Sequence, residues 1–260
     1  MIRLSASHPW LAFLWTILLL AGCASQPIKH KDPRDPWERM NRAIWGFDLA
    51  FVRKVALPVG HTYMRVTPHF AQIGIGNFFD NAEYPIVIVN DMLQAKFKIG
   101  FGDTGRFLMN STVGIAGFLD PAATVGLAKN SNDFGRTLGT WGLPPGPYLV
   151  LPFLGMSDVR DLVGRVPDGY LSPQNYIDNV WVYLGVYAVY VLDLDARTLI
   201  PQYNLLESQH PFDEYSFARN AYLEHRAFLI HGQSVKSEEQ QEEELEKSLE
   251  DSGGSSSPKQ

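Results

Sequence analysis

Hydrophobic positions along the chain change period three times. The first run, Leu11 to Leu20, is continuously apolar, follows a weakly positive start at Arg3 and leads into small residues. It is shorter than the about 20 apolar residues needed to cross a bilayer, so its layout is that of an export signal removed after use. From Asp35 the period becomes helical. Asp35-Pro36-Trp37-Glu38 offers a cap, a proline in the first turn and an acid three residues after the cap. Met40, Ile44, Phe47, Phe51 and Val55 then mark one helix face, and Pro58 is expected to end it. Pro68 and Pro85 are expected to open later helices, and further helices to begin near Ser157, Pro173 and Asp213. From Arg136 to Gly155 glycine and proline are too frequent for a helix, which predicts a loose hairpin or an ordered loop. Val180 to Leu192 is uncharged and rich in Val and Tyr, too short to span, and reads as a core helix or one lying in a membrane interface.

Two segments carry a narrow polar stripe in an otherwise apolar cylinder. Between Pro85 and Ile99, Asp91, Gln94 and Lys98 share a line with Asn90 beside it, surrounded by Ile, Val, Leu, Met and Phe. In the next segment Arg106, Asn110 and Gly114 fall in line among Phe107, Leu108, Met109 and Val113. An ordinary surface helix has a broad polar face. A narrow stripe fits a helix with greasy surroundings and a wet interior, because polar groups inside a membrane face a cavity or each other. It equally fits a buried helix whose polar residues bond within the core.

The chain ends add the first chemistry. Leu20-Ala21-Gly22-Cys23 resembles the lipobox of bacterial lipoproteins, in which the cysteine is acylated and becomes the first mature residue. Cys23 is the only cysteine, which excludes an internal disulfide. One acyl chain binds a membrane only marginally, and three hold firmly. Ala24 stands where an aspartate would resemble an inner-membrane retention signal. Residues 1–22 are thus read as signal peptide, 23–34 as a flexible tether, 35–232 as one domain, and 233–260 as an acidic, low-complexity tail. The tail's eight acids and three lysines hold most of the formal net charge of −6. The remainder is near neutral, with nothing basic enough to suggest nucleic acid.

Enzyme signatures fare poorly. Asp103-Thr104-Gly105 matches the aspartic-protease triplet once, while that chemistry needs two facing carboxylates. Gly74-Ile-Gly-Asn lacks the last glycine of a dinucleotide fingerprint, no Gly-x-Ser-x-Gly elbow occurs, and the histidines show no zinc-protease spacing. No catalytic residue, metal or cofactor is expected.

The blocks of the middle region resemble the MlaA/VacJ family of lipoproteins. They read Asp35-Pro-Trp-Glu-Arg-Met-Asn41-Arg42; Gly76-Asn77-Phe78-Phe79 with Glu83-Tyr-Pro85; Asn90-Asp91-Met-Leu-Gln94; and Arg106-Phe-Leu-Met-Asn110 with Gly117-Phe-Leu-Asp120. Phe134 to Gly142, Gly146 to Gly155, Arg160-Asp161, Arg219-Asn-Ala-Tyr222 and Arg226 follow in the same order. Arg39-Met40 departs from a frequent glycine-phenylalanine pair, and the acidic tail lies outside the resemblance. The resemblance implies a mainly α, single, ring-shaped helical domain embedded in the inner leaflet of the outer membrane, on its periplasmic side. It further implies an amphipathic channel that removes mislocalised phospholipids from the outer leaflet, passes them to a soluble periplasmic carrier, and sits beside a trimeric porin. Asn90, Asp91, Gln94, Arg106 and Asn110 then become candidate channel lining. The glycine pairs Gly74/Gly76 and Gly114/Gly117 suit close packing or bending. The competing expectation is a lipid-anchored scaffold that binds a porin and moves no lipid.

Overall fold

The computed structural model describes residues 32–231. The expected signal peptide, Cys23, most of the tether and the acidic tail lie outside the described residues. The described residues are mainly helical.

The first helix, α1 (Glu38–Phe51), does not stop before Pro58. It widens into a π-turn at Val52–Ala56 and continues as α2 (Leu57–Val66), with Pro58 at the second position of α2. In a plain α-helix the proline ring would press on the carbonyl four residues back and leave it without a donor. The wider π-turn moves that carbonyl aside, so the proline redirects the helix and does not end it.

After Pro68, α3 (His69–Leu93) runs for 25 residues with Pro85 inside it. The expected helix start at Pro85 is therefore absent. Neighbouring helices support this segment on several sides, and tertiary packing overrides the weak local signal. A tight turn through Ala95, at φ 56°, folds the chain back into α4 (Phe97–Thr112).

The connection after α4 has three successive left-handed residues, Ile115, Ala116 and Gly117. Gly117 N–H donates to the Asn110 carbonyl at 2.8 Å, and Leu119 N–H to that of Gly114 at 2.8 Å. Gly117, at φ 92°, lies so close to the Asn81 side chain that any Cβ there would collide with it. Phe118 lies flat over Gly74, which has no side chain to keep it away. Gly74 and Gly117, one from each glycine pair, thus seat this turn on α3, whereas Gly76 faces the Arg197 side chain and Gly114 the backbone of its own turn.

Asp120 caps the short α5 (Pro121–Thr124) and Asp133 caps α6 (Phe134–Thr140), so the stretch expected to be non-helical from Arg136 begins inside a helix. The hairpin follows: β1 (Tyr148–Leu151) pairs antiparallel with β2 (Gly155–Asp158), Tyr148 opposite Asp158. Asp158 accepts from Asp161 N–H at 2.7 Å and starts α7 (Val159–Leu171). A 3-10 turn at Pro173–Tyr176 precedes α8 (Val180–Leu194), capped by Asn179. A second π-turn, Asp195–Leu199, again precedes a proline, Pro201, in α9 (Ile200–Gln209). The last helix, α10 (Glu214–His231), falls almost wholly in a second compact unit that begins at Ser216.

Candidate functional site

The usual distribution of side chains is inverted. On α1 the buried residues are Glu38 and Asn41, whereas Met40, Phe47, Phe51 and Val55 from the predicted apolar face are exposed. The same holds on α4, where Gly100, Asp103, Arg106 and Asn110 are buried while Phe97, Phe101 and Leu108 are exposed. On α8 only Asp193 is buried, and Trp181 is 79% exposed. The core-helix reading of Val180–Leu192 is thereby corrected. Scattered exposed apolar groups are ordinary in a water-soluble protein, but several helices with apolar outer faces and charged inner faces are not.

The polar residues inside bond to one another in two groups, one around Asn90 and one around Arg106. Asn90, 0% exposed, donates to Asp168 at 3.0 Å and to the Ile86 carbonyl at 3.0 Å, and accepts from Thr137 Oγ1 at 2.7 Å. Gln94 donates to Asn132 and Thr137, and Asp91 accepts from Asn132 Nδ2 at 2.7 Å. Arg106, 3% exposed, pairs with Asp120 and also holds the Leu127 carbonyl. Asn110 donates to Asp120 at 3.0 Å and accepts from Ala122 N–H at 3.1 Å. Asn90, Asp91, Arg106 and Asn110 are buried and bond to the connections after α4 and to α6 and α7, so they brace the helices from within. Their partners, Asp120, Asn132, Thr137 and Asp168 among them, lie 10 to 78 residues along the chain, which no helix period reveals.

A pairing absent from the sequence reading lies in the group around Asn90. Asp103 on α4 faces Asp91 on α3, both buried, and Asn130 Nδ2 donates to Asp103 at 3.1 Å. Burial first, and then the bond shared with Asp91, push the Asp103 carboxyl up to about 6. The Asp-Thr-Gly triplet therefore sits in the middle of a helix with its carboxyl buried.

A second charged group surrounds Asp80 on α3. Asp80 binds Lys129 and accepts from Arg197 at 3.0 and 3.1 Å, and Arg197 Nε donates to Asp193 at 2.6 Å. One turn on, Tyr190 OH donates to Glu83 at 3.1 Å. Burial pushes both Glu83 and Asp193 above the usual carboxylate range. Beside this group α3 and α8 border a cleft of about 290 Å³ whose walls are all apolar, with Ile75, Phe78 and Phe79 on one side and Val186 and Val189 on the other.

The family model of the MlaA lipoprotein matches residues 33–229. The chain belongs to the MlaA lipoprotein family. It is 30% identical over 226 residues to the Intermembrane phospholipid transport system lipoprotein MlaA of Escherichia coli K12, covering 85% of this chain and 88% of that one. The MlaA of Haemophilus influenzae is 28% identical over 247 residues, covering 92% and 97%. An uncharacterized protein of Rickettsia felis is 33% identical over 181 residues, covering 68% and 72%. A solved structure described under the words "Structural basis for maintenance of bacterial outer membrane lipid asymmetry" superposes with a TM-score of 0.67 at 30% identity, covering 75% of this chain and 98% of that one.

The MlaA-like blocks have distinct structural duties. Asn41, 0% exposed, donates to Asp35 at 2.8 Å and to the Tyr148 carbonyl at 3.0 Å, and accepts from Val150 N–H at 3.0 Å. It therefore joins α1 to the hairpin. Arg42 bridges Glu38 and Asp213 and lies 4.4 Å over the Tyr215 ring. At the hairpin tip, Phe153 N–H donates to Asp48 at 3.1 Å, and its ring meets Phe47 and Phe51 edge-on. Asn77 is half-buried on α3, Phe78 faces outward, Phe79 is buried against Tyr190, and Pro85 bends no chain end.

Proposed function

We propose that this chain is the outer-membrane component of an intermembrane phospholipid transport system. It takes phospholipids mislocalised in the outer leaflet, conducts them through an amphipathic channel to a soluble periplasmic carrier, and so maintains lipid asymmetry. The inverted distribution of side chains carries this reading. Apolar residues on the outside of α1, α3, α4 and α8 suit hydrocarbon, while ion pairs and amide networks fix the helices from within. No helix among the described residues is long and apolar enough to cross a membrane. At 1.5 Å per residue α8 reaches only about 22 Å, less than the about 30 Å of a hydrocarbon core. A body of this kind suits embedding in one leaflet, the inner one, with Cys23 acylated as its anchor and a trimeric porin at its side.

Unaided, a headgroup crosses hydrocarbon slowly, because its charges must be stripped of water. A protein that presents polar groups to the headgroup and apolar walls to the chains removes that barrier without any covalent step. The decisive experiment supplies the full-length lipoprotein to cells that lack it and measures outer-leaflet phospholipid by membrane-impermeant amine labelling. Surface phospholipid should fall, and purified outer-membrane vesicles should transfer lipid to the carrier only when the protein is present. A protein that binds the porin yet leaves surface phospholipid unchanged is a scaffold, and the transport reading is then wrong.

A further inference from the structure

The cleft between α3 and α8 has room for a ligand. We propose that it holds one acyl chain of a glycerophospholipid, with the headgroup's phosphate toward Lys129 and Arg197. The proposal rests on the transport reading and assigns it a lipid-holding subsite.

Three observations carry it. First, the walls offer no hydrogen-bonding side chain, and the volume of about 290 Å³ holds about ten water-sized groups, enough for a stretch of hydrocarbon. Water gains nothing in such a place, whereas methylenes recover dispersion contacts. Second, Gly185 borders the cleft in the middle of α8, and nothing lies within 4 Å of the Cβ it lacks. A glycine there weakens the helix by about 1 kcal/mol relative to alanine, and no close helix neighbour among the described residues explains it. Its missing side chain leaves the cleft open. Third, polarity is graded. Phe79 in the wall touches the Tyr190 ring, Tyr190 OH binds Glu83, and Asp80, next after Phe79, holds the cations of Lys129 and Arg197. The Lys129 side chain is 54% exposed, so a phosphate competes with Asp80 for it. The same two helices expose Phe70, Ile73, Trp181 and Val182, which puts the cleft on an apolar face where lipid chains are available.

The test uses the full-length protein in vesicles of phosphatidylethanolamine and phosphatidylglycerol, doped with phosphatidylethanolamine bearing a diazirine in mid-chain. After photolysis, peptide mapping by mass spectrometry should find adducts concentrated at 75–79 and 185–189. Gly185→Leu places its side chain into open space, and it should lower these adducts about tenfold, the equivalent of about 1.4 kcal/mol, while adducts at Phe70 and Trp181 persist. Should that variant fail to fold, Val186→Phe narrows the same cleft and carries the same expectation. Adducts spread evenly over all exposed apolar residues, unchanged adducts in both variants, or a second copy of this chain cross-linked into the cleft would each overturn the subsite. The cell assay separates the two levels. Surface phospholipid cleared by a protein with an unlabelled cleft sinks the subsite alone, and a labelled cleft in a protein that clears nothing sinks the transport reading alone.

Discussion

Gly164→Ala is the sharpest test of how the inner network is held. Gly164 on α7 meets the backbone of α6 directly. A Cβ at this position would press first on the Gly135 backbone nitrogen and lie 2.8 Å from the Gly135 Cα and 3.1 Å from the Phe134 carbonyl carbon, inside the 3.4 Å at which ordinary contact begins. These neighbours are backbone atoms at the start of α6 and cannot rotate away, so α6 and α7 must part by about 1 Å. The same contact is where Asp168 accepts from Phe134 N–H at 3.0 Å and from Asn90 Nδ2 at 3.0 Å. Overpacking of this kind costs about 1–3 kcal/mol, and a weakened hydrogen bond about 1 kcal/mol more. Against this, alanine returns about 0.8–1 kcal/mol of helix propensity. The net expectation is a destabilisation of about 1–3 kcal/mol. Gly102→Ala is the matched control, because nothing lies within 4 Å of its missing Cβ, and it should stabilise by up to about 1 kcal/mol. Denaturant unfolding of both variants in the same detergent reads the difference directly. A Gly164→Ala protein as stable as Gly102→Ala would refute the reasoning and mean that the two helices do not touch here.

Other expectations follow from the same network and from the anchor. Arg106→Leu leaves the Asp120 carboxylate without its cation and should cost about 2–4 kcal/mol, less than a fully buried pair because the Asp120 side chain is 23% exposed. Folded abundance should drop accordingly, and an undiminished fold with slowed lipid removal would instead make Arg106 a lining residue. Asp103 has a folded-state value near 6 against 3.8 for the free side chain, so the folded protein holds the proton more tightly. Its contribution is fully present below 3.8 and is lost as pH rises through 6. Asp103→Asn should flatten stability across that window, measured by unfolding at several pH values, and curves parallel to the parent would contradict this. Cys23→Ser should leave the precursor unacylated, and intact-mass analysis of the mature N-terminus showing an unmodified Cys23 in the parent protein would end the anchor reading.

Much of this protein was legible in one dimension. The period of α1, the Gly/Pro-rich hairpin and the ordered blocks of the MlaA family are local features, and local features survive as sequence patterns. The narrow stripes on α3 and α4 also identified Asn90, Asp91, Gln94, Arg106 and Asn110 as residues set apart. What the sequence left open was the direction of each face. A helical period shows that Phe47 and Phe51 share a side, but not whether that side meets protein, water or lipid, and here they lie on the exposed side. Pro58 and Pro85 read as boundaries because their local cost is plain, while the π-turn before one and the flanking helices around the other are supplied by the rest of the fold. Asp103 found Asp91, Arg106 found Asp120, and Asn90 found Asp168 across separations of 12, 14 and 78 residues. Such partners are chosen by how the helices pack, because a buried charge or amide must take whichever donor or acceptor the tertiary structure brings within reach.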